Sequence, residues 1–306
     1  MVDLDYIYIT NILGESEMKN YVPKIAAIHD ISGIGRCSMT VILPILSSLG
    51  CQVCPLPTAL LSNHSEYNEF FFYDFTKHME EYYNYWEKNN AEFDCLYSGF
   101  LGSEKQIDII LDIIKRVKSK TNALAVVDPV MGDHGILYKT YTDAMVNKMS
   151  RLVANADIIT PNLTEVSILL NEKYLAEGVN IETVKKYLRS LSDMGPDIVV
   201  ITGIKTDLGE HINACYDKKQ NEYWKIPFEH ISTRYPGTGD LFSSLFVGYL
   251  FNEKKLPEAI QLASNFVSEA VRVTYAADTP HHEGVQFEKI MRMLHEEVNE
   301  YKYVKI

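Results

Sequence analysis

The sequence predicts an α/β protein of three layers, with a central and mostly parallel sheet between two layers of helices. Two observations carry that expectation. From Pro23 onward, short apolar runs alternate with longer segments of helical spacing, and the residues after each apolar run are rich in Gly, Asp, Asn, Ser and Thr. Strands joined through helices pair in parallel and are covered on both faces. Residues 24–28 read as a buried strand, and residues 39–49 follow as a helix that Gly50 closes. Residues 52–57 read as the second strand. Residues 70–89 read as an aromatic, acidic helix whose Tyr82, Tyr83, Tyr85 and Trp86 are expected to pack. Residues 94–97 form the third strand, and Ile107, Ile110, Leu111, Ile114 and Val117 recur at helical spacing. Residues 124–127 form a buried strand ending at Asp128. Residues 156–160 form another, 163–170 open a helix, and 197–202 form a further strand. An antiparallel hairpin is expected from residues 212–216 and 222–226, followed by two apolar helices over 240–251 and 257–275. No repeat or Ser/Gly linker interrupts this order, so residues 24–306 read as a single domain behind an extension of residues 1–23.

Composition narrows the function. The chain has 306 residues, 46% of them hydrophobic and 23% charged, and a formal net charge of −12. That is a globular composition, and its acidity argues against a nucleic-acid partner, which needs a basic face. No apolar stretch is long enough for a membrane span, so no membrane role is expected. The N-terminus lacks the basic and apolar regions of a signal peptide, and five cysteines do not make a secreted disulfide framework. A cytoplasmic setting follows as the expectation. Cys51 and Cys54 form a lone C-x-x-C, read as strand cysteines, and Cys215 is read as packing.

In parallel sheets, ligands sit beyond the carboxyl ends of the strands. The last such end, Gly237-Thr238-Gly239-Asp240, opens an apolar helix. Free amides at a helix N-terminus make an anion hole, and the glycines let a phosphate approach the backbone closely. Asp240 beside that hole could serve as an N-cap or as general base toward a hydroxyl during phosphoryl transfer. Asp128, Asp133 and Glu165 add carboxylates at neighbouring strand ends, a donor set suited to Mg²⁺ or to capping turns. Gly33-Ile34-Gly35 only partly matches a dinucleotide fingerprint, with no acidic residue at the end of the second strand. A Walker A sequence, a G-x-S-x-G elbow and an H-E-x-x-H helix are absent.

Taken together, Ser62-Asn63-His64, Ser98-Gly99-Phe100-Leu101-Gly102-Ser103, Asp128-Pro129-Val130-Met131-Gly132, the run from Ile158 to Glu165, and Gly237-Thr238-Gly239-Asp240-Leu241-Phe242 resemble the blocks of the pyridoxal/pyridoxamine kinases of the ribokinase-like superfamily. The resemblance covers about residues 24–286 in order. It implies ATP as phosphoryl donor, Mg²⁺ and often K⁺, the 5′-hydroxymethyl of a B6 vitamer as acceptor, and usually a homodimer. It further implies Asp240 as base and Gly237, Thr238 and Gly239 as the anion hole. Asp128 and Glu165 would hold Mg²⁺, mostly through water. Thr160, Asn162, Thr202 and Gly203 would lie toward the nucleotide, with Thr238. Asp30, Thr58, His64 and Tyr138 would line the acceptor pocket.

Two segments depart from that pattern, both toward the acceptor. His29-Asp30-Ile31-Ser32-Gly33 stands where many members read Gln-Ser-His, and it is closer to the Ser-Asp-x-Ser-Gly of hydroxymethylpyrimidine kinases. Phe100 replaces a common tyrosine. Pyridoxamine, pyridoxine and an aminopyrimidine alcohol therefore stay open as acceptors. The reading from another class, a non-catalytic small-molecule sensor, would have lost the base or the hole, and both are present. His281 and His282 are read as solvated.

Overall fold

The structure is a computed structural model, and it describes residues 21–139, 141–296, 298 and 300–306. Residues 1–20, most of the expected extension, lie outside the described residues. The strands are β1 (Lys24–Ile34), β2 (Gln52–Asn63), β3 (Phe72–Asp74), β4 (Cys95–Ser98), β5 (Leu124–Val127), β6 (Gly132–Asp133), β7 (Ile136–Leu137), β8 (Ile158–Ile159), β9 (Ile198–Lys205), β10 (His211–Asp217), β11 (Glu222–Pro227) and β12 (Val304–Lys305). The helices are α1 (Met39–Ser48), α2 (Thr76–Lys88), α3 (Glu104–Lys118), α4 (Asp143–Val153), α5 (Leu163–Leu169), α6 (Ile181–Asp193), α7 (Thr238–Phe251) and α8 (Leu256–Ala276).

Ten strands form one sheet in the order β12-β11-β10-β9-β8-β5-β4-β1-β2-β3. Its centre, from β2 to β9, is parallel, and both ends are finished by antiparallel strands. Alternation along each strand sends side chains to opposite layers. Ile25 and Ala27 enter the core under α1, α7 and α8, while Ala26 and Ile28 enter the core under α2, α3, α4 and α6. Leu124 and Val126 against Ala125 and Val127 repeat the pattern on β5. The three-layer expectation is what the chain adopts.

The differences are local and have physical causes. β1 and β2 run on past their expected ends, because β1 pairs with β4 only to Ile28 but with β2 as far as Ile34↔Asn63, across a register shift between His29 and Ile31. His29 to Ile34 are therefore strand, not loop. The expected helix over residues 70–89 starts only at Thr76: Phe72–Asp74 pairs with Ala59–Leu61 instead. The Asp74 carboxylate then accepts the amide and the hydroxyl of Thr76 and starts the helix there. On α2, Tyr83 is buried and Trp86 packs on Phe93, whereas Tyr82 and Tyr85 are exposed. Helices α4 and α6 and the β6–β7 hairpin are additional to the sequence reading. The cysteines are free thiols, and Cys95 and Cys215 are fully buried. Among the described residues, no helix is long and apolar enough to cross a membrane.

Candidate active site

The parallel strands β1, β4, β5, β8 and β9 end on one edge of the sheet, and residues that follow β1, β5 and β8 (Ser38, Asp128 and Thr160) reach the first turns of α7. Gly237 precedes that helix with φ of 78°, and a side chain there would run into the Arg36 carbonyl, so the position demands glycine. The first amides of a helix have no intrahelical acceptor. Here they belong to Thr238, Gly239 and Asp240, and Gly239 is open to solvent. The Thr238 hydroxyl donates to the Tyr235 carbonyl at 3.3 Å, which keeps it at the turn.

Asp240 does not cap its own helix. Its Oδ2 accepts the Ser38 amide at 2.7 Å, from the turn that opens α1. The residue is half-buried, and desolvation pushes its carboxyl up to about 7, with the neighbouring Asp30 adding to the rise. Asp128 lies across from it at the end of β5. The site reserved for a Gly239 side chain would sit 3.9 Å from Asp128 Oδ2. Burial and the Asp240 charge push Asp128 up to about 8, against a hydrogen bond from Ser243 Oγ at 3.3 Å. Thr160 Oγ1 lies 3.0 Å from the same serine hydroxyl, so Thr160 steadies Asp128 through Ser243.

Glu165 is buried, and its carboxyl is raised by burial and by Asp128. Its Oε1 accepts the Met131 amide at 3.1 Å and its Oε2 the Asn162 amide at 2.8 Å. Asn162 answers as the cap of α5: its Oδ1 accepts the amides of Thr164 and Glu165 at 2.8 and 3.0 Å, and its Nδ2 donates to the Gly132 carbonyl at 3.0 Å. Asn162 is thus committed to joining the β6–β7 hairpin to α5. Thr202 meets Asn162 in a parallel bridge. Gly203 follows with φ of 65° inside β9 rather than after it, and its amide donates to Asn213 Oδ1 at 2.8 Å. Thr202 and Gly203 stand opposite Asn213 where the β9–β10 register shifts, which makes a bulge.

Of the residues expected at the acceptor, Asp30 and His64 are tied into the protein. Asp30 is buried and its carboxyl raised by desolvation, while the hydroxyls of Ser38 and Ser32 donate to its two oxygens at 2.6 and 3.1 Å. His64 is buried against Gly35. Its Nδ1 accepts the Glu66 amide at 3.3 Å, which leaves Nε2 to donate to the His282 carbonyl at 2.7 Å. Both ring nitrogens are therefore engaged with the protein. Thr58 is buried with its hydroxyl unpaired among the described protein groups. Tyr138 is half-buried after β7, beside Asp133, and burial raises its phenol. Ser38 and Ser243 are site residues that the sequence reading missed. Ser38 carried one signal, a cap-type residue immediately before a helix.

Asp128 after β5 and Asp240 in the first turn of α7 flank a helix start with free amides, an arrangement suited to holding and transferring a phosphoryl group. The chain belongs to the phosphomethylpyrimidine kinase family, whose profile matches residues 88–285, and within it groups with pyridoxal kinases. It is 30% identical over 244 residues to the pyridoxal kinase PdxY of Pasteurella multocida, covering 75% of this chain and 82% of that one. It is 29% identical over 247 residues to the pyridoxal kinase of Dictyostelium discoideum, covering 73% and 78%. A crystal structure from Bacteroides thetaiotaomicron, provisionally described as a phosphomethylpyrimidine kinase and solved with pyridoxal, is 43% identical. It superposes with a TM-score of 0.89 over 94% of this chain and 100% of that one.

Proposed function

We propose that this chain transfers the γ-phosphoryl group of ATP to the hydroxymethyl group of a B6 vitamer. The observation that carries the reading is the placement of Asp240: its carboxylate is held by the Ser38 amide beside the exposed Gly239 at the helix start. In this reading Asp240 takes the proton of the acceptor CH₂OH as its oxygen attacks the γ-phosphorus. The bond from that phosphorus to the bridging oxygen of ADP breaks, and the amides of Gly237, Thr238 and Gly239 hold the spreading charge. A base titrating near 7 suits a reaction run near neutral pH. Thr58 and Tyr138 face the acceptor, and Thr202 and Gly203 the nucleotide. We read residues 24–306 as one catalytic unit, working in the cytoplasm and as a homodimer.

Mg²⁺ fits the donor set. Asp128 and Glu165 are buried oxygen donors whose raised carboxyls a cation would relieve. Among the described residues, no group of three His, Cys, Asp or Glu could hold a metal ion by itself. The two carboxylates would therefore hold the ion with water and phosphate oxygens completing its shell. When bound, it supplies neutralisation of phosphate charge.

A second reading, a hydroxymethylpyrimidine kinase, is favoured by the family profile and by Asp30-Ile31-Ser32-Gly33. ADP release from ATP and Mg²⁺, measured over pyridoxal, pyridoxamine, pyridoxine and hydroxymethylpyrimidine, decides between them. The B6 reading expects the highest kcat/KM with a pyridine vitamer, and a preference for the pyrimidine overturns it. Binding of a vitamer without ADP release overturns both.

A further inference from the structure

Asp30 was expected to face the acceptor, yet both of its oxygens are taken by serine hydroxyls. The closer of these, from Ser38 at 2.6 Å, belongs to a residue in an unusual conformation. Ser38 has φ of 49° and ψ of −134°, a region that favours glycine and that other residues hold only when their surroundings enforce it. The same residue presents its amide to Asp240 Oδ2 at 2.7 Å. One side chain is tied to Asp30 and one backbone group to Asp240, and both ties lie on a single residue.

We propose that Asp30 and Ser38 form a positioning pair for Asp240, in which the hydroxyl bond to Asp30 locks the Ser38 turn that aims its amide at the Asp240 carboxylate. The proposal rests on the reading of Asp240 as the base. The surroundings leave the turn little freedom. Thr40 Oγ1 donates to the carbonyls of Gly35 and Cys37 at 3.2 and 2.8 Å, and the Ser38 carbonyl accepts the amides of Val41 and Ile42 at 3.0 Å each. Arg36 anchors the other side, through Nε to Glu288 at 2.7 Å and Nη1 to the Glu283 carbonyl at 3.0 Å. The turn therefore sits between the start of α7, where Gly237 meets the Arg36 carbonyl, and the segment from His281 to Glu288. Without the tie to Asp30, Ser38 keeps its unfavourable backbone conformation with nothing on its own side chain to hold it. Relaxation of the turn would carry its amide away from Asp240.

The test is a double-mutant cycle of Ser38→Ala and Asp30→Ala, assayed with ATP, Mg²⁺ and either pyridoxal or hydroxymethylpyrimidine. Each single variant should lower kcat by about 10- to 100-fold, as a misplaced reacting group does. KM for ATP and for the acceptor should each stay within about threefold, and the double variant should be little worse than the poorer single one. Two conservative variants guard against misfolding. Ser38→Gly adopts the positive φ freely and should recover part of the kcat lost in Ser38→Ala. Asp30→Asn keeps an oxygen that can accept the Ser38 hydroxyl, and should recover part of the loss in Asp30→Ala. A large rise in acceptor KM at unchanged kcat in Asp30→Ala makes Asp30 a substrate ligand and overturns the proposal, as do additive losses in the cycle. If Asp240→Asn keeps wild-type turnover, it is the base reading itself that fails, a result distinct from failure of the pair.

Discussion

The two sides of the cleft hold their groups in place by different means. Toward the nucleotide, the reading relies on backbone: three amides at the start of α7, a glycine that the Arg36 carbonyl excludes from bearing a side chain, and a glycine bulge in β9. Toward the expected acceptor, side chains are held within the protein: Asp30 by two serine hydroxyls, and His64 by the Glu66 amide and the His282 carbonyl. Backbone amides bind a phosphate without choosing what else is attached to it. Side chains already paired within the protein hold a pocket's shape and leave few free groups to select its ligand. On the proposed reading, donor chemistry should be robust to substitution around it, and acceptor preference should depend on groups left unpaired, such as the Thr58 hydroxyl.

Asp240 stands where the two sides meet, so its loss should have the largest effect. Asp240→Asn should lower kcat by about 10²- to 10⁴-fold, the usual contribution of a positioned base. Binding of ATP, followed by calorimetry, should change little, because the amides remain. A variant that loses nucleotide affinity as severely as turnover would mean that the two sides are not separable at this residue.

How far the sequence reveals each side follows from the same contrast. Gly-Thr-Gly-Asp is legible because a backbone site dictates residue types at consecutive positions, and a helix must follow. The four-residue runs of β4 and β5 are legible because they are buried on both faces: β5 is wholly apolar, and β4 is apolar but for the Tyr97 phenol and Ser98 at its end. The tie from Ser38 to Asp240 spans 202 positions, and no local pattern encodes it. The extension of β1 past Ile28 is hidden for a related reason. It pairs on one side only, so Asp30, Ser32 and Gly33 carry the composition of a loop while lying in a strand. Phe70 to Tyr73 suit helix and strand alike as aromatic residues, and it is the pairing of Phe72 to Asp74 with Ala59 to Leu61 that makes a strand there. The functional roles assumed for Asn162 and His64 came from their blocks. In the structure their polar atoms bond to backbone groups, contacts that the blocks themselves do not encode.

A pH profile sharpens the comparison at intermediate scale. Asp240 must be ionised to accept a proton, and burial raises it to about 7. kcat/KM for the acceptor should therefore climb with pH up to about 7 and level off above, by about tenfold per unit on the acid limb. An acid limb centred near 4 would show a solvated carboxylate and remove the reason for placing the base between the two sides.

The smallest expected effect is on stability, and it isolates the donor side. Asp128 titrates at about 8 in the fold against an ordinary value of 3.8. A raised carboxyl favours the folded state most fully when protonated. The unfolded chain ionises first, so this stability is lost progressively from about pH 4 and is gone once the pH has passed about 8. Asp128→Asn keeps the shape and carries no charge to desolvate. In the absence of nucleotide and metal, its Tm should exceed that of the wild type by a few degrees at pH 9. The gap should narrow steadily toward pH 5. Adding Mg²⁺ and ATP should reverse the order, because the wild-type carboxylate then has a cation to face and the asparagine offers only a weak oxygen donor. If the variant is instead less stable at pH 9 without ligands, Asp128 is held by partners strong enough to offset its burial. The donor side would then depend on paired side chains in the same way as the acceptor side.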